Sequence, residues 1–145
     1  MLSIYENRKS IFPERKVFIW LLSLHFIVLL LHTGAHFYHQ VMPDFKGTLL
    51  IIFGYYLLPG LGLFQQMRKS RYGLLAVLIG ISVAFTHGFL YHFIFDTADY
   101  VCYFGVHISG LWFSVTAYGL AIIDFSIMAI VLRGLFNTTR SSVLR

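Results

Sequence analysis

Four long apolar runs alternate with short polar breaks along this chain. A helix needs about 20 apolar residues to cross a bilayer, and the pattern predicts spans over 17–38, 47–67, 72–95 and 104–133. The breaks between them, 40–46, 68–71 and 96–103, are short. Short connections make sequential helices antiparallel. The expected fold is therefore all-α: an integral membrane four-helix up-down-up-down bundle, one domain over 1–145.

Charge orients the bundle. Arg8, Lys9, Arg15 and Lys16 precede the first span, Arg68, Lys69 and Arg71 join the second to the third, and Arg133, Arg140 and Arg145 follow the fourth. These ten residues fall on one side and only Lys46 on the other. Cytoplasmic loops carry the excess of Lys and Arg, so both termini are expected in the cytoplasm. The first span has a basic flank but no small-residue cleavage site after it, and reads as a retained span rather than a removed signal peptide. The net charge of +5 is then a topology signal with the lipid bilayer as partner, and no nucleic acid is needed to explain it.

Composition agrees with this. Hydrophobic residues make up 58% of the chain and charged residues 12%, where a soluble domain is usually about a quarter charged. The one cysteine, Cys102, excludes an internal disulfide and any cysteine-based zinc module.

The histidines carry the chemical signal. Six of the seven fall towards the extracytoplasmic ends of the predicted spans: His32, His36, His39, His87, His92 and His107. Asp44, Asp96 and Asp99 sit in the adjoining loops. At 100° per residue His25, His32, His36 and His39 form one stripe roughly 60° wide on the first helix. The fourth span has a small or polar face through His107, Gly110, Ser114, Ala117, Ala121 and Asp124, and the third a small stripe through Ala76, Gly80, Ala84 and Gly88. Small and polar residues in membrane helices turn towards neighbouring helices. The histidines of the first and fourth spans are thus expected to face inwards, and those of the third to border the interior.

One chemistry for such a set is a transition-metal site. Histidines spaced i, i+4 and i+7 share a helical face, and an imidazole–carboxylate ligand set suits zinc, copper or iron. His36, His39, His92, His107 and Asp96 are the expected ligands, with Asp99 and Tyr91 supporting them. An open coordination position would permit a metal-dependent oxidoreductase or hydrolase. The spacing resembles the histidine boxes of membrane desaturases and hydroxylases. No His-x-x-His-His box follows, however, and the cluster is expected to face outwards, so that family is not assigned.

Two further chemistries compete. His32 and His87, at matching depth on different helices, could ligate a b-type haem, which would make the chain an electron-transfer subunit. Histidines and an Asp spread through the membrane also suit a proton path, although only Pro59–Gly60 offers a break of transporter type. Without a cofactor, the histidines would simply bond between helices in an accessory subunit working with other membrane subunits or with its own copies. At the inner level Asp124 needs a partner, and His25 is the one ionisable residue at matching depth, so a His25–Asp124 pair is expected.

Overall fold

The computed structural model describes residues 15–68, 71–105 and 107–143, with side chains for all of these except Arg15, Arg71 and 137–143. Of the basic residues used for orientation, Arg8, Lys9, Lys69 and Arg145 lie outside the described residues, as do the side chains of Arg15, Arg71 and Arg140.

Four helices carry the fold: α1 (Arg15–His39), α2 (Phe45–Met67), α3 (Tyr72–Ile94) and α4 (Ile108–Val143). Each contains a segment long and apolar enough to cross a membrane. There is no strand among the described residues. The fourth helix begins at Ile108, not at 104. Gly105 takes a left-handed φ of +63°, which ends any right-handed helical path through it, so 104–107 belongs to the connection and His107 stands before the helix.

The end of α1 is built by its own backbone. Gln40 adopts φ +58°, its N–H donates to Phe37 O at 3.2 Å, and the Val41 N–H donates back to His36 O at 3.1 Å. This is a Schellman closure, here with a glutamine where glycine is usual. At the start of α2 the Asp44 carboxylate accepts from Gly47 N at 2.7 Å and caps the helix.

Two stretches depart from α-geometry. Ile51–Leu57 in α2 and Leu90–Ile94 in α3 are π-helical. Their bonds reach back five residues, from Leu58 N to Phe53 O and from Phe95 N to Leu90 O. Pro59 follows the first stretch. It has no N–H to offer Tyr55 O, four residues back.

Helices α2 and α3 touch backbone to backbone. A Cβ added at Gly62 would lie 2.7 Å from Gly73 O, and one at Gly80 would lie 2.8 Å from Gly54 O. Close approach of this kind is what glycines allow between membrane helices. Between α1, α3 and α4 the core is apolar, with Phe18, Leu22, Val77, Ile81, Ile127 and Val131 packed together. Large apolar side chains such as Trp20, Leu30, Phe53, Val115 and Ile122 remain exposed on the outside.

Candidate metal centre

Three histidines meet inside the bundle. His32 Nε2 lies 3.0 Å from His92 Nε2 and 3.2 Å from His36 Nε2. His32 and His36 stand one turn apart on α1, so their rings share a face. His92 reaches them from the π-helical stretch of α3. His32 and His92 are buried and His36 is half-buried. Among the described residues, these three form the group whose ligand atoms converge within 4.8 Å.

The opposite nitrogen of each ring is already engaged. His36 Nδ1 donates to Val41 O at 2.8 Å, an acceptor that the closing turn of α1 carries back to it. His92 Nδ1 donates to Asp99 O at 2.9 Å, brought round by the turn in which Tyr100 N bonds Thr97 O. His32 Nδ1 meets Thr116 Oγ1 at 2.9 Å. That hydroxyl lies 2.8 Å from Trp112 O and 2.9 Å from Phe113 O, so its proton goes to the helix backbone and its oxygen accepts from His32.

The hydrogen-bond network therefore assigns one tautomer to all three rings. Carbonyls can only accept, which fixes the proton on Nδ1 and leaves Nε2 as a lone pair. Three lone pairs then face one another at 3.0–3.2 Å along the two closest edges. Between neutral rings such an arrangement is repulsive unless a cation, a metal ion or an added proton, sits among them. Nitrogens bound to one tetrahedral zinc at about 2.0–2.1 Å lie about 3.3 Å apart, close to the spacing found. Holding the remote nitrogen with a hydrogen-bond acceptor is also how metal-binding histidines are oriented. Phe113, fully buried, packs against all three rings with centroid distances of 4.9, 4.9 and 5.4 Å.

The other expected ligands lie elsewhere. His39 Nε2 bonds Ser109 O at 3.1 Å. It stands two turns beyond His32, about 10 Å further along the helix axis. His107 is exposed, and its carbonyl accepts from Leu111 N at 2.8 Å. Asp96 is exposed and accepts a hydrogen bond from Tyr103, which holds that phenol above its ordinary value. Tyr91 stacks on His87 at 4.4 Å. Asp99 supports the cluster through its backbone carbonyl. Burial pushes its carboxyl above the ordinary carboxylate range. The haem pair is not brought together: His32 joins the cluster, and His87 Nδ1 bonds Tyr55 Oη at 2.6 Å.

A second polar site lies deeper. His25 Nδ1 meets Asp124 Oδ1 at 2.6 Å, with both residues buried. His25 Nε2 faces Tyr55 O at 3.4 Å, the carbonyl four residues before Pro59. With the Tyr55–His87 bond, this network takes one residue from each helix.

No family model, curated protein or solved structure matches this chain. The chemistry therefore has to be argued from the geometry.

Thr116 and Tyr55 are the members of these two polar clusters that sequence reasoning passed over. Each is a polar side chain inside an apolar span, and Tyr55 stands four residues before a proline. Those were the available signals. The acceptors Val41 O and Asp99 O belong to the backbone, and no residue type announces them.

Proposed function

We propose that this chain is an integral membrane protein that binds one transition-metal ion through His32, His36 and His92. The observation that carries the reading is the convergence of three Nε2 lone pairs whose Nδ1 protons are all engaged. Three neutral imidazoles suit zinc, copper or iron. Three protein ligands leave at least one coordination position open for water or substrate, as in catalytic zinc sites. A water held there is the reagent of metal-assisted hydrolysis, and oxygen chemistry is the corresponding use of copper or iron.

The proposed setting is an up-down-up-down bundle in the cytoplasmic membrane. Both termini are inside, and the histidine cluster lies in the extracytoplasmic half. Exposed apolar side chains on all four helices support a lipid surround. Exposed Lys16, Arg68 and Arg133 lie towards the end opposite the histidines, which supports the orientation.

Metal analysis of detergent-purified protein tests the reading. About one equivalent of zinc, copper or iron is expected in the wild type, and much less in His92→Ala. Folded wild-type protein that takes up no metal would overturn it.

A further inference from the structure

Small side chains open a cavity of about 30 Å³ beside the histidine cluster. Ala84 and Gly88 of α3 and Ala117 and Ala121 of α4 provide the space. Five polar residues line it: His32 and His92 from the cluster, His25 and Asp124 from the deeper pair, and Tyr55. A water needs roughly 10–15 Å³ of such volume and two to four polar partners. The cavity meets both requirements and joins the two polar sites.

The charges of the two sites are coupled by where they lie. A dication held by three neutral imidazoles keeps its whole charge in a buried place. Such a charge needs a counter-charge nearby. Asp124 is the acidic side chain that lines the cavity. The other ionisable groups facing it are His25 and His32 from α1, Tyr55 from α2 and His92 from α3, with His87 behind Tyr55 and the Asp99 carboxyl near His36 and His87.

The pair holds a proton it can give up. His25 faces an acceptor at each nitrogen, the Asp124 carboxyl at 2.6 Å and Tyr55 O at 3.4 Å. Both contacts are hydrogen bonds only when the pair carries two protons, one on Nε2 and one between Nδ1 and the carboxyl. In that state the pair is net neutral and offers a dication nothing. Loss of one proton leaves a net charge of −1.

We propose that metal loading at His32, His36 and His92 expels one proton from the His25–Asp124 pair through the cavity. The protein thereby exchanges a divalent cation against a proton. The balance is simple: the cation enters, one proton leaves to solvent, no electrons move, and the pair goes from neutral to anionic. This inference rests on the metal reading above, and its test separates the two.

Zinc is titrated into metal-free full-length protein in weakly buffered detergent, with a pH indicator counting released protons. Asp124→Asn is expected to release one proton fewer per zinc and to bind zinc about 10–100-fold more weakly. In His25→Gln the Asp124 carboxyl itself carries the displaceable proton, so both the count and the affinity stay near wild type. If both variants keep the wild-type proton count while binding weakens, the pair is only structural and the proposal falls. If both bind as wild type with an unchanged count, it falls as well. Wild-type protein that binds no zinc would instead sink the metal reading, and this inference with it. Should Asp124→Asn fail to fold, the wild-type count still decides: one proton released per zinc is expected, and a count of none would overturn the proposal.

Discussion

The Nε2 atoms of His32 and His92 lie 3.0 Å apart although the residues are sixty positions apart in the chain. In its neutral form neither ring has a proton to share there, because each spends it at Nδ1 on an oxygen. The contact makes chemical sense when a cation bridges the two nitrogens.

That assignment ranks the histidines. Alanine at His32, His36 or His92 is expected to abolish stoichiometric metal binding. Alanine at His39 or His107 is expected to leave it unchanged, because those rings lie outside the cluster. Elemental analysis of the purified variants decides this, and equal losses across all five would contradict the assignment.

Thr116 should matter without touching the ion. Its oxygen fixes the His32 tautomer, and loss of such a support typically costs 10–100-fold in metal affinity. Thr116→Val keeps the shape but leaves His32 Nδ1–H without its acceptor. The expected result in a competition titration with a chelating dye is weaker binding by about that factor, with the stoichiometry retained. Thr116→Ser restores the hydroxyl and should bind like wild type.

The long elements were legible because they need only local information. Apolar runs of bilayer length marked all four helices to within a few residues, apart from the start and end of the fourth. His25 and Asp124 could be proposed as partners because few ionisable residues share that depth. The metal set was harder to read. Counting at 100° per residue assumes a regular α-helix, and the π-helical turn at Leu90–Ile94 places more residues in each turn. The phase of His92 therefore drifts from its expected value, and its ring meets His32 as well as His36. Gly105 breaks the fourth helix before His107 and removes that residue from the interior. Both effects depend on backbone conformations that residue type states only weakly.

Ligand binding should also register as stability. A metal that binds only the folded state stabilises it by RT ln(1 + [L]/Kd), about 2.7 kcal/mol at a hundredfold excess over Kd. Added zinc is expected to raise the melting temperature of the wild type, and a chelator to reverse the rise. His92→Ala should show no such shift. A rise of equal size in that variant would place the bound zinc elsewhere.

The contact between α2 and α3 predicts a purely structural defect. A methyl group at Gly62 would meet Gly73 O and Val77 N, backbone atoms that cannot turn aside. Overpacking of this kind costs about 1–3 kcal/mol. Gly62→Ala is expected to lower the yield and melting temperature of the protein while metal content per folded molecule stays at the wild-type value. Selective loss of metal at wild-type stability would contradict this separation of packing from chemistry.

The membrane orientation can be read from a native residue. Cys102 is exposed and free, in the segment joining α3 to α4 at the histidine end of the bundle. With both termini in the cytoplasm, that segment faces the extracytoplasmic side. A membrane-impermeant thiol reagent should then label Cys102 in intact cells. Arg68 lies at the opposite end, where α2 closes with its N–H bonded to Gln65 O at 3.0 Å. A cysteine there, in a Cys102→Ser background, should react only after the membrane is permeabilised. The reversed pattern would turn the bundle over and put the histidines towards the cytoplasm. The cluster would then draw its metal from the cytoplasmic pool, and the proton it displaces would return there.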